Sequence, residues 1–228
     1  MGNQTIEQLK QIEIFSCLKD KELMELEPFI YHRTYKKGQY IFLEGDPRVR
    51  IYIILEGFVM LEKSNRKGSL LYNKYVKENE MFPYIGLFMD NEYSHTAIAE
   101  TDVKVMYIMT EVFEKYIMNN KMLLQDIIKQ MNQILQSQEN RIQHILTPSA
   151  HSRVINTISY LMKDIGEECE EEVVIHCPMT AAKISIMSGT SRETASTVIN
   201  KLKKDNIISV KEKILHIQDR DYFDKLTK

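Results

Sequence analysis

The most informative part of the sequence is residues 180–202, TAAKISIMSGTSRETASTVINKL. Thr180 and Ser191 are residue types that cap the N-terminus of a helix, and Gly189 lies where a left-handed residue would end one. The stretch therefore predicts a short helix ending at Ser188, a tight turn and a second helix. This is the pattern of a helix-turn-helix, in which the first turns of the second helix enter the major groove of DNA.

The second predicted helix has one apolar and one polar face. Its buried stripe is Ala195, Val198, Ile199 and Leu202. On the polar face, Arg192 can donate two hydrogen bonds to a guanine, and Glu193 can accept one from a cytosine amino group. The candidate DNA-binding residues are Thr180, Ser191, Arg192, Glu193, Ser196, Thr197, Asn200 and Lys201. The alternative of a purely structural helix pair stays open at this point.

The residues around this motif add a wing and a basic charge. Ile207–Val210 and Ile214–Ile217 flank Lys211-Glu212-Lys213, a pattern that predicts a hairpin and hence a winged helix. The whole chain has a net charge of −2, but residues 173–228 hold ten Lys/Arg against six Asp/Glu. Because salt screens charges beyond about 10 Å, a local basic surface can hold phosphates whatever the remote charge.

Upstream of the motif, residues 111–146 contain neither Gly nor Pro and predict helix up to Pro148. A second apolar stripe, Leu123, Ile127 and Ile134, runs beside a heptad seam. The seam has alternating steps of four and three residues and consists of Leu124, Ile128, Met131, Leu135, Gln138, Ile142 and Ile145. Two apolar faces favour two neighbours, the helix's own domain and the same helix of a second chain, over a core helix in a monomer. One polar seam residue, Gln138, favours a parallel pair because it helps to fix register.

Before this helix the pattern is that of antiparallel sheet. Glycines separate short stretches rich in Ile, Val, Tyr and Phe, which predicts a roll or barrel. The predicted strands are Tyr40–Leu43, Ile51–Leu55, Phe58–Lys63, Ser69–Tyr75 and Val103–Met109; a further one is Val173–Cys177. We therefore predict an α+β chain with a β-roll sensor domain (residues 1–118), a dimerisation helix (119–146) and a winged helix-turn-helix domain (147–228) that begins at a hinge, Thr147-Pro148-Ser149.

Composition excludes several classes of protein. Apolar residues are 43% of the chain and mean hydropathy is −0.32, with no apolar run long enough to span a membrane. The first residues show no export signal, and three cysteines are too few for a disulfide scaffold, so we expect a cytoplasmic protein. Cys169 and Cys177 could meet across a hairpin, although incidental thiols are favoured over a redox switch. The six histidines lack metal-ligand spacing, and nucleophile-elbow, P-loop and zincin motifs are missing, so we expect no metal and no enzyme.

The sequence resembles the cyclic-AMP receptor protein/FNR family of bacterial transcription regulators. The resemblance is sharpest at Ser191-Arg192-Glu193-Thr194, Leu202 and Asn206-Ile207-Ile208-Ser209. It implies a cyclic-nucleotide-binding-type β-roll and an effector-responsive homodimer that binds double-stranded DNA at an inverted repeat, with RNA polymerase as a further partner. Thr197 stands where the cyclic-AMP receptor protein has a second base-reading arginine. Among subfamilies, regulators of the arginine deiminase operon in low-GC Gram-positive bacteria are most similar. The alternative is a sensor that acts through protein partners without DNA.

The effector site departs from the pattern of that family. Gly86, Leu87 and Phe88 match it, but Pro83 and Tyr84 replace a Gly-Glu pair, and Ser94 and His95 replace the Arg-Ser pair that holds the cyclic phosphate. Losing that arginine removes a bidentate phosphate contact. We expect cyclic AMP to bind weakly, or another small effector to bind, or the pocket to be vestigial. The candidate pocket residues are Tyr84, Ile85, Gly86, Leu87, Ser94, His95, Thr96, Gln136 and Ser137. Only Cys17 lies near the N-terminus, which excludes an FNR-type iron–sulfur cluster.

Overall fold

A computed structural model describes residues 2–64 and 70–226. The chain forms two compact units, residues 1–135 and 136–228, and one helix passes from the first into the second. Within the described ranges no helix is both long and apolar enough to cross a membrane. The start of the predicted strand Ser69–Tyr75 lies outside the described residues.

The N-terminal unit is an antiparallel β-roll with helices on either side of it in sequence. Helices α1 (Gly2–Lys10) and α2 (Asp20–Leu26) come first, each followed by a short 3-10 turn, Glu13–Phe15 and Glu27–Phe29. Two four-stranded sheets follow, with strand orders β1-β8-β3-β6 and β2-β7-β4-β5. The strands are β1 (Tyr31–Tyr35), β2 (Tyr40–Phe42), β3 (Arg50–Glu56), β4 (Val59–Ser64), β5 (Leu70–Val76), β6 (Met81–Phe82), β7 (Thr96–Ala99) and β8 (Val103–Met109). The predicted β-roll is confirmed, with β1, β6 and β7 as additional strands.

Strand β3 shows why this unit has two apolar cores. Successive side chains of a strand point to opposite faces of the sheet. Ile51 and Ile53 therefore join the core shared with the helices, which includes Leu23 and Phe113. Tyr52 and Ile54 face the other way, into the interior of the roll with Phe42, Phe82 and Tyr93. A strand buried on both faces has no polar side, which is why residues 51–55 read as a continuous apolar run.

The helical run after β8 is two helices rather than one, α3 (Thr110–Asn119) and α4 (Lys121–Ile145). Asn120 separates them with an extended backbone, φ −124° and ψ 102°. Its Oδ1 accepts hydrogen bonds from the backbone N–H groups of Met122 and Leu123, both at 3.1 Å, and its Nδ2 donates to Glu22 at 2.7 Å. An Asn side chain that satisfies nearby backbone donors competes with helix continuation. Asn120 therefore starts α4 without any Gly or Pro in the sequence.

The C-terminal unit is a winged helix. Helix α5 (Ala150–Ile165) packs against α6 (Ala181–Ser188) and α7 (Arg192–Lys204) through buried Val154, Ile158 and Leu161. A four-stranded sheet, in the order β11-β12-β10-β9, covers the unit. The remaining elements are β9 (Glu167–Cys169), β10 (Glu172–Ile175), β11 (Ile208–Lys211), β12 (Ile214–Ile217) and α8 (Arg220–Leu226). The predicted helix-turn-helix and wing hairpin are both present.

The proposed meeting of Cys169 and Cys177 is wrong. The β9–β10 turn is so tight that Cys169 pairs with Glu172, while Cys177 lies two residues beyond the end of β10. Cys17, Cys169 and Cys177 are all free thiols. Burial raises the pKa of the Cys17 thiol to about 11, with Asp126 adding to the effect, so this thiol is protonated and unreactive at neutral pH.

A buried ion pair fixes the loop that follows β6. Arg48 Nη2 lies 2.6 Å from Glu114 Oε1, with the arginine side chain only 3% exposed and the glutamate 21%. The same Glu114 oxygen accepts the backbone N–H of Phe88 at 2.9 Å, and Arg48 Nε donates to the carbonyl of Asp90 at 2.8 Å. The pair thus anchors residues 86–90 to α3 through one carboxylate and one guanidinium.

We predict that Glu114→Ala lowers the free energy of unfolding by about 3 kcal/mol, because it leaves the Arg48 guanidinium buried without its counter-charge. Urea denaturation followed by circular dichroism measures this loss. The exposed pair of Lys104 and Glu56 is the matched control, and Lys104→Ala should cost less than about 1 kcal/mol. Equal losses in the two variants would show that the buried pair does not anchor the loop.

Candidate DNA interface and effector cavity

The turn between α6 and α7 has the predicted geometry. Thr180 Oγ1 accepts the backbone N–H of Lys183 at 3.2 Å, which caps α6. Gly189 then ends this helix in the left-handed conformation, φ 57° and ψ 42°. Ser191 Oγ accepts the backbone N–H of Thr194 at 3.1 Å and caps α7. These caps fix the direction in which α7 leaves the turn.

Helix α7 divides into a buried and an exposed face. Ala195, Val198 and Leu202 are buried, and Ile199 is half-buried at the edge of that stripe. The candidate DNA-binding residues cover the other face: Ser196 is half-buried, and Arg192, Glu193, Thr197, Asn200 and Lys201 are exposed.

The pKa of Glu193 is lowered by the backbone N–H at the start of α7 and by the Ser191 hydroxyl. Its carboxylate is therefore ionised at neutral pH and can only accept hydrogen bonds.

The wing is closed by two consecutive left-handed residues, Glu212 at φ 50° and Lys213 at φ 70°. This gives a two-residue hairpin turn between the paired residues Lys211 and Ile214. The carbonyl of Lys213 accepts the backbone N–H of Met179 at 2.8 Å, just before the cap of α6. The wing tip and the helix-turn-helix are thus linked directly, and two lysines are exposed at the tip.

Sequence reasoning missed Arg153, on the first turn of α5. Its guanidinium donates to four backbone carbonyls: Ser188 at 3.1 Å, Gly189 at 3.2 Å, Thr147 at 3.1 Å and Pro148 at 3.1 Å. Arg153 therefore joins the predicted hinge to the turn that precedes α7. Its partners are main-chain atoms, so no side-chain motif marks this role in the sequence.

The N-terminal unit contains a cavity of about 230 Å³. Its walls come from β4, β5, β6 and the segment after it, the first 3-10 turn and α4. The polar lining residues are Glu13, Tyr72, Lys74, Asn79, Glu80, Tyr84, His95, Gln130 and Gln133. The apolar ones are Ile14, Leu61, Val76, Met81, Phe82, Pro83, Ile85 and Ile134.

Three of the candidate effector residues line this cavity, namely Tyr84, Ile85 and His95. The other candidates are not among its described walls. Leu87 belongs to the core under the helices, and Gly86, at φ 91°, lies against Asp90 and Arg48. Ser94 Oγ lies 2.9 Å from His95 Nδ1, and Thr96 Oγ1 accepts the backbone N–H of Glu44 at 3.1 Å.

Helix α4 contributes Gln130, Gln133 and Ile134 to the cavity in place of the expected Gln136 and Ser137. Gln130 continues the apolar stripe of Leu123, Ile127 and Ile134, at steps of three and four residues. This periodicity was the available signal, because a polar residue on a buried stripe faces the interior.

The described walls do not fit a cyclic phosphate. By the family resemblance, Ser94 and His95 stand in place of the phosphate-binding pair, and of these two only His95 is among the described walls. His95 is 9% exposed, and burial, with Lys63 adding to it, lowers its pKa, so the imidazole is neutral at neutral pH. A neutral imidazole and a hydroxyl do not replace a guanidinium as a charge-assisted, bidentate partner.

The heptad seam of α4 is largely uncovered in the single chain. Ile128, Met131, Leu135, Ile142 and Ile145 are 41–59% exposed, and Leu124 and Gln138 are half-buried. The neighbouring stripe behaves differently, since Leu123 and Ile127 are buried in the core. Exposed apolar side chains in one continuous row are unusual on a helix that has no further partner.

Comparison with known proteins agrees with both halves of this description. Residues 32–120 match the model of the cyclic nucleotide-binding domain, and residues 152–226 match the Crp-like helix-turn-helix domain. The chain belongs to the Crp/FNR family. The predicted resemblance and fold class are confirmed, and this Crp/FNR family member is a DNA-binding transcription regulator.

Relatives of this Crp/FNR family member share its full architecture. The HTH-type transcriptional regulator ArcR of Staphylococcus epidermidis is 28% identical over 209 residues, 90% of each chain. ArcR of Staphylococcus haemolyticus is 27% identical over 89% of each. Among solved structures, a CRP/FNR family regulator from Thermus thermophilus is 26% identical with a TM-score of 0.65, over 86% of this chain and 98% of that one. FixK2 from Bradyrhizobium japonicum shares the fold at 18% identity, with a TM-score of 0.73 over 86% and 96%.

We predict that Arg153→Lys weakens the helix-turn-helix, because one ammonium cannot reach carbonyls that lie on opposite sides of the guanidinium. Loss of charged hydrogen bonds of this kind costs about 1.5–3 kcal/mol. Urea denaturation should show this loss, and DNA affinity should fall with it. His151→Ala, on the same turn of α5, is the control and should leave both unchanged. An Arg153→Lys variant as stable as the control would contradict the assigned role.

Proposed function

We propose that this Crp/FNR family member is a cytoplasmic, homodimeric regulator that binds an inverted-repeat operator and responds to a small effector in the β-roll. The observation that carries this proposal is that one chain exposes two surfaces, the apolar seam of α4 and the polar face of α7. Following the resemblance to regulators of the arginine deiminase operon, the proposed target genes are those of anaerobic or arginine catabolism.

The seam supports a parallel helix pair. It runs from Leu124 to Ile145, about 32 Å at 1.5 Å per residue. Gln138 is half-buried in the single chain, so part of this residue is open to a partner helix. In a parallel pair the two Gln138 side chains meet at the same level of the seam, where each amide can bond to the other and hold the register.

A two-fold dimer presents α7 twice, which requires an operator with two-fold symmetry. Half-site centres should lie about 34–36 Å apart, one helical turn of DNA. By resemblance to the family, the half-site is TGTGA, with relaxed preference at the base that faces Thr197. Arg192 and Glu193 read bases in this proposal, while Lys203 contacts a phosphate.

The effector acts by population shift. A ligand in the β-roll stabilises one of two arrangements of the dimer helix and hinge, and the recognition helices then match or miss the spacing of the operator. Regulation of transcription requires contact with RNA polymerase or occlusion of its site. Cyclic AMP is the effector that the family suggests, and the missing cassette arginine makes its binding weak.

We predict that Ile128→Lys combined with Leu135→Lys dissociates the dimer, because each substitution would bury an unpaired ammonium in the seam. Sedimentation velocity should change from twice the chain mass of 26.8 kDa to a single one. Asn140→Lys, exposed on the opposite side of α4, is the control and should stay dimeric. A wild-type protein that is monomeric at micromolar concentration would contradict the proposed homodimer.

We predict that Arg192→Ala lowers the binding free energy for the correct base at one position of each half-site by about 1–3 kcal/mol. Specificity at that base pair should relax accordingly. Lys203→Ala should weaken all operators alike and reduce the slope of log affinity against log salt by about one. Both follow from titrations against single-base operator variants at several salt concentrations. If Arg192→Ala lowered affinity equally for every operator, the residue would be a phosphate anchor and not a base reader.

A further inference from the structure

The cavity of the N-terminal unit has a charge pattern opposite to that of a phosphate site. Two carboxylates, Glu13 and Glu80, and one ammonium, Lys74, are the charged groups of its described walls, and arginine is not among those wall residues. An anion entering this space would meet an excess of negative charge. Glu80 is half-buried and Glu13 is exposed, so the charge of Glu80 is the less screened of the two.

The two carboxylates act on one place in the cavity. Tyr84 is half-buried in the wall of the cavity, and its pKa is raised first by desolvation, then by Glu80 and then by Glu13. Both glutamates line the same cavity as Tyr84, whose phenol stays protonated at neutral pH. Glu80 is oriented by the backbone N–H of Lys77, which donates to its Oε2 at 3.3 Å. The described walls of the cavity thus include a carboxylate oriented by a backbone N–H, a second carboxylate and a phenolic hydroxyl, all of which can accept hydrogen bonds from a cation.

Among the described walls, a cationic end for phosphate is missing. Lys63, the lysine that acts on His95, pairs with Glu44 at 3.6 Å on the exposed side of β4. The His95 ring lies 5.5 Å from the ring of Tyr72 and is neutral at neutral pH. The remaining polar groups, Asn79, Gln130 and Gln133, are uncharged amides that can bind a ligand of either charge.

We infer that this cavity binds a small organic cation, with a basic nitrogen group held by Glu13, Glu80 and the Tyr84 hydroxyl, in place of a cyclic nucleotide. The inference rests on the proposed function, in which the cavity is the effector site. The volume suits a compact ligand, since it lies below the roughly 300–1,000 Å³ of sites for drug-sized molecules. The rings of Tyr72 and Tyr84 complement a cation, and the apolar walls accept its hydrocarbon part.

Calorimetry with two probes of opposite charge tests this inference. Agmatine carries a guanidinium and an ammonium joined by a short hydrocarbon chain, and cyclic AMP carries the anionic phosphate. The full-length protein should bind agmatine at least ten-fold more tightly than cyclic AMP. Glu13→Gln and Glu80→Gln keep the shape of the side chain and should each weaken agmatine binding about ten-fold. Glu56→Gln, exposed and outside the cavity, should leave it unchanged.

For two further variants, the inference predicts whether the affinity for each ligand rises or falls. Lys74→Gln removes the one wall cation and should strengthen agmatine binding. Ser94→Arg restores the missing guanidinium and should strengthen cyclic AMP binding without improving that of agmatine. Thermal unfolding of each variant confirms that it is folded before titration.

Three outcomes would overturn the inference: no agmatine binding at millimolar concentration, sub-micromolar binding of cyclic AMP by the wild type, or unchanged agmatine binding in both glutamate variants. Its failure is separable from failure of the proposed function. Operator binding and dimer mass are measured without any ligand, so a protein that dimerises and binds its operator but ignores agmatine would refute only the ligand class.

Discussion

Helix α4 is the element on which the organisation of this protein depends, because it carries two apolar stripes that need two different neighbours. Leu123 and Ile127 are buried in the core that the β-roll shares with the helices. Ile128, Leu135 and Ile142 face away from that core and remain exposed. A helix cannot turn both stripes toward one core, so the second surface follows from the spacing of residues along the chain. The same geometry puts Gln130 and Gln133 on the sensor side, where they form part of a cavity.

Helix caps and strand periodicity were predictable because they are local. Thr180, Gly189 and Ser191 act through hydrogen bonds and backbone angles within a few residues, so their roles can be read from the sequence directly. The β-strands were equally visible wherever β-branched and aromatic residues stood between glycines. Short strands such as Met81–Phe82 were not, since two residues carry no period.

Other features that escaped prediction depend on partners that are distant in sequence. Asn120 breaks a run that contains no helix-breaking residue, and it does so by pairing with Glu22 as well as with the next turn. The cavity also contains Glu13, which comes from a segment far away in sequence. Replacement of the Arg-Ser pair left the charge of the cavity undetermined, and with Glu13 the described walls hold two carboxylates and one ammonium. Substitution of a family motif removes contacts for one ligand, and the charges of the three-dimensional neighbours are the basis for inferring another.

The Arg153 clamp has a consequence for how this part of the molecule tolerates change over evolution. The guanidinium recognises the carbonyl oxygens of residues 147, 148, 188 and 189, and every amino acid supplies such an oxygen. Side chains at the hinge and at the turn can therefore drift, to suit a new operator or a new signal, without breaking the connection between them. Arg153 itself therefore places no demand on the side chains of its four partners; Gly189 and Ser188 are constrained for other reasons, the first by its left-handed backbone and the second by its burial.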